Sequence, residues 1–124
     1  MARGLRYQWM AWFHAQLVEG LMAEVFMPAI KLADVPANGM ISVAVNGVRI
    51  TVANVQGAYY AFDDECTHEQ CSLAEGDLAG TTLTCMCHGA QFDVRSGAVL
   101  APPAVVPVKV YRTRIDGDAL HIEV

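Results

Sequence analysis

Cysteine is absent from most of this 124-residue chain, since all four cysteines lie between residues 66 and 87. Basic residues are also few, with 8 Lys and Arg against 13 Asp and Glu and a formal net charge of −5. This balance argues against general nucleic-acid binding, which needs a basic face to neutralise phosphates. No apolar run approaches the roughly 20 residues that a membrane-spanning helix requires, so we do not expect a membrane protein.

The first 27 residues are interpreted as an N-terminal extension, 1–27. They begin with two arginines and continue with apolar residues, but polar residues interrupt this stretch and no Ala-x-Ala cleavage site follows. Apolar residues recur at helical spacing from Trp9 to Val25, which predicts an amphipathic helix. The alternatives are a poorly ordered arm or an upstream start codon, with translation beginning at Met22 or Met27.

From residue 28 onward the sequence has the pattern of short strands. Alternating apolar residues at 40–45 and 48–55 flank Asn46-Gly47, the strongest short signal for a β-hairpin because both turn residues need positive φ. Further strands are predicted at 58–62, 81–85, 90–94, 106–115 and 119–124, with a proline loop at 101–104. We therefore expect an all-β fold over residues 28–124, a small antiparallel sandwich or barrel.

A long loop interrupts this strand pattern between residues 63 and 77. It contains six carboxylates and no Lys or Arg. Long irregular loops in compact β domains usually carry function. We interpret the carboxylates at 63–65 as a solvated loop or docking surface rather than as a catalytic cluster.

Two Cys/His pairs have the spacing of metal ligands. Cys66 and His68 form Cys-x-His, Cys85 and His88 form Cys-x-x-His, and sixteen residues separate the two pairs. Thiolate and imidazole ligands suit zinc or an iron–sulfur cluster. Zinc sites more often use Cys-x2–4-Cys or His-x3–5-His pairs, whereas one Cys and one His from each loop suits a two-iron cluster.

The sequences CTH at 66–68 and CMCHGAQFD at 85–93 resemble the motifs of the Rieske [2Fe–2S] family. That family has Cys-x-His and, about sixteen residues later, Cys-x-x-His-Gly. The resemblance covers about residues 28–124 and includes Gly97 and the prolines at 102–103, which in the family cover the cluster. It implies a cluster-binding subdomain at about 63–100, carried by a base of antiparallel strands.

The resemblance also implies one [2Fe–2S] cluster per chain and a role for each ligand. Cys66 and Cys85 correspond to the ligands of the inner iron, and His68 and His88 to those of the outer iron. The outer imidazoles are then expected near the surface, where an electron leaves for a partner.

Cys71 and Cys87 are additional to these four ligands. The stretch CTHEQC…CMCHG resembles the branch of the family that carries a disulfide between the two cluster loops, and this implies a Cys71–Cys87 bridge. The alternative is two buried free thiols. Because cytosolic disulfides are uncommon, such a bridge implies either shielding or an oxidising site.

High-potential members of the family have Ser and Tyr hydroxyls that donate hydrogen bonds to sulfur where this chain has Ala90 and Phe92. Neither of these side chains can donate a hydrogen bond. Because such donors stabilise the more negative, reduced cluster, their absence predicts a low potential. We expect a value in the low half of the Rieske range of about −150 to +300 mV.

The resemblance therefore implies an electron carrier that is not itself an enzyme. We expect a cytoplasmic ferredoxin component of a multicomponent oxygenase or reductase system, whose reductase and terminal oxygenase partners present a basic docking surface. The alternatives are a Rieske small subunit of a larger nitrite-reductase-like or arsenite-oxidase-like enzyme, and a structural zinc module. The remaining His and Trp side chains are assigned surface or packing roles; they are His14, His121, Trp9 and Trp12.

Overall fold

A computed structural model describes residues 25–124, which contain eleven strands and two short 3-10 helices. The strands are β1 (Phe26–Lys31), β2 (Met40–Val45), β3 (Val48–Val55), β4 (Ala58–Asp63), β5 (Asp77–Ala79), β6 (Thr82–Thr84), β7 (Gln91–Asp93), β8 (Val99–Ala101), β9 (Val110–Tyr111), β10 (Thr113–Asp116) and β11 (Ala119–Glu123). The 3-10 helices are Leu32–Asp34 and Leu73–Glu75. Residues 9–24 of the predicted amphipathic helix, among them Trp9, Trp12 and His14, lie outside the described residues, and Val25 is not helical.

The strands of this part of the chain form three antiparallel sheets. The base sheet has the strand order β1-β11-β10, the central sheet β2-β3-β4-β9, and the distal sheet β5-β6-β7-β8. This architecture confirms the predicted all-β class. Within the described residues no helix is long and apolar enough to cross a membrane.

The central strand β3 is buried on both of its faces. Successive side chains of a strand point to opposite sides, so Ile50 and Val52 belong to one face and Ala53 to the other. Ile50 and Val52 pack in a core with residues of the base sheet, whereas Ala53 packs in a second core with residues of the distal sheet. The central sheet therefore supports the distal sheet, which carries the predicted site.

The predicted hairpin at Asn46-Gly47 is confirmed. Asn46 has φ of 52° and Gly47 has φ of 81°, and Val45 pairs with Val48 across the turn. The same left-handed conformation would strain most other side chains, which explains the choice of Asn and Gly.

Three strands were not predicted from the sequence. β1 contains Pro28, which breaks the strand pattern but is tolerated because β1 is an edge strand with an irregular register at Pro28. β5 and β8 have only three residues each, too few for an alternating pattern to be recognised.

The single strand predicted at 106–115 is wrong in its extent. Residues 106–109 lie outside the strands, and the remainder divides at Arg112 into β9 and β10. The chain leaves the central sheet at this point and enters the base sheet, so the two short strands pair with different partners. Pro107 also cannot donate to a strand ladder, which disfavours pairing at the start of the segment.

Candidate metal centre

Two loops lie side by side at one end of the distal sheet. The first loop, residues 64–76, joins β4 to β5, and the second loop, residues 85–90, joins β6 to β7. β5 and β6 pair with Asp77 opposite Thr84, so the end of the first loop adjoins the start of the second. Strand pairing thus brings the two predicted Cys/His pairs together despite the sixteen residues between them.

The two unbridged thiols lie at the buried base of these loops. Cys66 is 4% exposed and Cys85 is 3% exposed, and both belong to the core formed with the distal sheet. Burial raises the pKa of the Cys85 thiol, and the neighbouring Cys66 thiol acts in the same direction. The backbone N–H groups of Cys87 and His88 lower this pKa because they donate hydrogen bonds to the Cys85 sulfur. Two adjacent buried sulfurs with amide donors suit thiolates whose protons are replaced by a metal.

The two imidazoles of the loops lie closer to the surface. His68 and His88 are both exposed, and their ring centroids are 5.4 Å apart at an interplanar angle of 87°. The His88 ring also meets the first loop, with 2.6 Å between His88 Nδ1 and Glu69 Oε2. The candidate site is therefore layered, with the predicted sulfur ligands inside and the predicted nitrogen ligands outside.

A disulfide joins the two loops. It connects Cys71 to Cys87, whose Cα atoms are 6.5 Å apart. Cys71 is partly buried, but Cys87 is exposed, so protein atoms do not fully shield the bridge.

The second loop is a tight turn around the predicted ligands Cys85 and His88. The Cys85 N–H donates to the Ala90 carbonyl at 2.7 Å, and the Gly89 N–H donates to the Cys85 carbonyl at 3.1 Å. Gly89 has φ of 78°, a conformation that glycine adopts without a steric cost. This conformation explains why a glycine follows His88 in the motif.

The proline segment, residues 102–109, packs against the first loop. Ala104 and Val108 are buried in the same core as the two thiols. The Thr67 hydroxyl donates to the Val106 carbonyl at 2.7 Å, which ties the segment to the residue between Cys66 and His68. The segment therefore adjoins the site, as the resemblance implied.

The sequence model of the Rieske [2Fe-2S] domain family matches residues 25–112. The chain belongs to the Rieske [2Fe–2S] family. Its cofactor is a [2Fe–2S] cluster, and its function is one-electron transfer. The layered site fits this cofactor, because buried cysteines and exposed histidines supply the mixed donor set that the cluster needs.

Relatives and solved structures agree with this assignment over most of the chain. The biphenyl dioxygenase ferredoxin subunit of Pseudomonas sp. strain KKS102 is 38% identical over 93 residues, covering 74% of this chain and 85% of that protein. The ferredoxin component of the naphthalene 1,2-dioxygenase system of Pseudomonas aeruginosa is 31% identical over 102 residues, covering 82% and 98%. A chain in the solved complex of reduced oxygenase and oxidized ferredoxin of carbazole 1,9a-dioxygenase has a TM-score of 0.75 and 27% identity, covering 81% and 94%.

Asp64 is a residue whose role the sequence did not predict. The interpretation of residues 63–65 as solvated is wrong for Asp64, which is 4% exposed. Its carboxylate accepts hydrogen bonds from the hydroxyls of Thr51 at 2.6 Å and Ser72 at 2.8 Å. It also accepts from the Ala74 N–H at 3.3 Å and from Arg49 at 3.2 Å. One carboxylate thus ties strand β3 to both ends of the first loop.

These contacts keep Asp64 ionised. Burial by itself raises the pKa of Asp64, but the hydrogen bonds from Thr51 and Ser72, with smaller contributions from Ala74 and Arg49, hold the net value below the ordinary one. A folded pKa below the unfolded one stabilises the fold above about pH 4, and this stabilisation is lost as the pH falls through the folded pKa. The three adjacent acidic residues at 63–65 give no signal in the sequence that separates this buried carboxylate from its neighbours.

We expect Asp64→Ala to lower the free energy of unfolding at pH 7 by about 1–3 kcal/mol, because it leaves two hydroxyls and an amide without an acceptor. Asp64→Asn keeps an acceptor oxygen and should cost less. The exposed Asp77 at the start of β5 offers the control Asp77→Asn, which should change little. Chemical denaturation of the three variants measures the difference, and equal stability of Asp64→Ala and Asp77→Asn would contradict the role of Asp64.

Proposed function

We propose that this chain is the ferredoxin component of a multicomponent oxygenase system. It accepts single electrons from a reductase, delivers them to a terminal oxygenase and turns over no substrate of its own. The observation that carries this proposal is the exposed histidine pair above two buried thiols. A cluster whose outer ligands reach the surface can exchange electrons with a partner that makes only transient contact. The names of the relatives, which are components of dioxygenase systems, support the same role.

We assign the four cluster ligands on the geometry of the two loops. Cys66 and Cys85 bind the inner iron, and His68 and His88 bind the outer iron. The burial of the two sulfurs and the 5.4 Å separation of the two rings support this division. The ligands lie in a subdomain at about 63–100, which we separate from a base formed by the rest of the domain.

Substitution of a histidine ligand tests this assignment. We expect His68→Ala and His88→Ala to lose the iron and sulfide of the cluster, together with the EPR signal of the reduced protein, because each removes one ligand of the outer iron. His121→Ala is the control, since His121 lies on β11 of the base sheet and should leave both quantities unchanged. Full cluster content in His68→Ala or His88→Ala would overturn the assignment.

The surface around the histidines favours a basic partner. No Lys or Arg occurs between Arg49 and Arg95, whereas this stretch contains carboxylates at both ends of the first loop. Two exposed apolar side chains lie near the proposed ligands. Met86, which follows Cys85 in the second loop, is 61% exposed. Val106 is 54% exposed, and its carbonyl accepts a hydrogen bond from Thr67, the residue between Cys66 and His68. An apolar centre with an acidic surround fits a partner with an apolar patch and a basic rim, and the charges favour rapid association.

We expect Glu65→Lys to slow electron transfer from the reduced protein to its terminal oxygenase at low ionic strength by about tenfold, because it reverses an exposed charge in the first loop. The effect should shrink at high salt, where the charges are screened. Asp118→Lys, in the exposed turn of the base sheet, is the matched control. Stopped-flow rates at two salt concentrations measure this, and equal slowing by both variants would contradict a localised acidic docking surface.

The environment of the sulfurs supports a low reduction potential. Ala90 is 1% exposed and Phe92 is fully buried, and both lie in the core that contains Cys66 and Cys85. Neither side chain offers a hydroxyl to sulfur, so the hydrogen bonds to Cys85 come from backbone amides.

We expect Ala90→Ser to raise the midpoint potential by about 40 mV, since one added hydrogen bond of about 1 kcal/mol favours the reduced cluster in a one-electron couple. Ala61→Ser is the control, because Ala61 is similarly buried but lies in the core between the central and base sheets, which contains neither Cys66 nor Cys85. Potentiometric titration followed by EPR measures both. An unchanged midpoint potential in Ala90→Ser would mean that the missing hydroxyl at this position does not lower the potential of the cluster.

A cytoplasmic location remains part of the proposal. The disulfide argues against this location, because Cys87 is exposed and the reducing thiols of the cytoplasm could reach the bridge there.

A further inference from the structure

The two edges of the base sheet differ in how well they are protected against pairing with another strand. β1, at one edge, contains Pro28, has an irregular register there and ends at Lys31. Proline, irregular pairing and lysine are the usual features that keep a free edge from accepting a strand. β10, at the other edge, has a regular register with β11 and contains no proline or lysine. Among residues 25–124, β10 pairs with β11 alone, which leaves its outer edge open.

The backbone of β10 alternates between its neighbour and the open edge. The Glu123 N–H donates to the Arg112 carbonyl at 3.0 Å just before β10 begins, so the backbone groups of Arg112 face β11. In an antiparallel strand, alternate residues direct their N–H and C=O to the same side, so those of Arg114 and Asp116 also face β11. The N–H and C=O of Ile115 therefore face the open edge, where another strand can bind them.

The side chains of β10 form a self-complementary pattern. Ile115 is 54% exposed, although it lies opposite the fully buried Leu120 on the inner face of the sheet. Arg114 and Asp116 lie on either side of Ile115, share the outer face and carry opposite charges. The Asp116 side chain is 73% exposed. An exposed isoleucine between two opposite charges can match a second copy of the same strand that runs in the opposite direction.

We propose that two copies of this chain associate through β10, which pairs antiparallel with β10 of the partner about a two-fold axis at Ile115. In this register Ile115 lies opposite the partner's Ile115, and the two residues exchange both backbone hydrogen bonds. Arg114 lies opposite the partner's Asp116, and Asp116 lies opposite the partner's Arg114, which gives two cross-strand ion pairs. Two three-stranded base sheets thereby form one continuous sheet.

The charges of β10 select this register over its neighbours. Sliding one strand by two residues places Arg114 opposite the partner's Arg114, and sliding it the other way places Asp116 opposite the partner's Asp116. Like charges directly opposite each other destabilise a strand pair. The contact is short and each chain has a net charge of −5, so the dimer is reversible rather than permanent.

The proposed interface lies away from the candidate metal centre. The base sheet packs on one face of the central sheet, and the distal sheet, which carries the two loops, packs on the other face. Association through β10 leaves the loops of both copies accessible to redox partners. The inference therefore goes beyond the proposed function and does not depend on it.

Exchange of the two charges tests the pairing in the purified full chain. Arg114→Asp and Asp116→Arg each place like charges opposite each other twice in a dimer, whereas the double variant Arg114→Asp/Asp116→Arg restores two pairs of opposite charge. Lys31→Asp is the matched control, because it makes the same change of charge as Arg114→Asp at the other edge of the sheet. Sedimentation velocity gives the Kd over about 1 µM to 1 mM, the range expected for a short contact.

The wild type should show a reversible monomer–dimer equilibrium. Each single reversal should weaken the dimer at least about tenfold, because it turns two attractive cross-strand pairs into repulsive ones. The double variant should recover most of the wild-type affinity, and Lys31→Asp should retain it.

A cysteine at the two-fold axis gives a second, independent measurement. Ile115→Cys should form disulfide-linked dimers under mild oxidation, because the Cα atoms of a hydrogen-bonded pair lie about 5.5 Å apart, which suits a disulfide. Val25→Cys is the control, since Val25 is 51% exposed and precedes β1 at the other edge. It should not form linked dimers.

Three results would overturn the inference. A wild type that stays monomeric throughout the concentration range excludes the dimer, as expected if residues 1–24 of the same chain cover this edge. A dimer that neither single reversal weakens uses another surface. A double variant as weak as the single variants excludes the register centred on Ile115. None of these readouts depends on the cluster, so they are distinguishable from a failure of the proposed function.

Discussion

The pairing of β5 with β6 is the constraint on which the site depends. It places the end of the first loop beside the start of the second, so that the proposed ligands, which are far apart in sequence, lie at the same end of the sheet. The disulfide between Cys71 and Cys87 and the contacts of Asp64 then hold the loops in that arrangement. Without this pairing, each loop would offer only one proposed Cys ligand and one proposed His ligand, which is too few for a closed metal centre.

The same arrangement divides the site into a buried part and a solvent-exposed part. The sulfurs of Cys66 and Cys85 lie in a core supported by the central sheet, where burial would limit the charge of a cluster bound to them. The imidazoles lie outside, where a partner can approach them, and in the proposed function the carboxylates around them favour a partner with a basic surface. The site therefore becomes more polar from the interior to the surface, which is also the direction proposed for the electron.

Residue types indicated the family and the hairpin turn more directly than they indicated the short strands around the two loops. The Cys/His spacing and the Asn46-Gly47 turn are local patterns, readable because ligand chemistry and positive φ restrict the residues that can serve. The short strands β5 and β8 were missed because three residues cannot establish a period. Asp64 was missed for a different reason: its contacts come from a partner on β3, and a row of acidic residues in the sequence does not reveal such contacts.

The most direct test of this account is EPR of the chemically reduced wild-type protein, together with its iron and sulfide content. The account predicts the stoichiometry of one [2Fe–2S] cluster per chain and a signal of low average g, as expected when histidine and cysteine ligands are mixed. A signal of an all-cysteine cluster would contradict the proposed ligands. A colourless protein that binds zinc without sulfide would contradict electron transfer altogether.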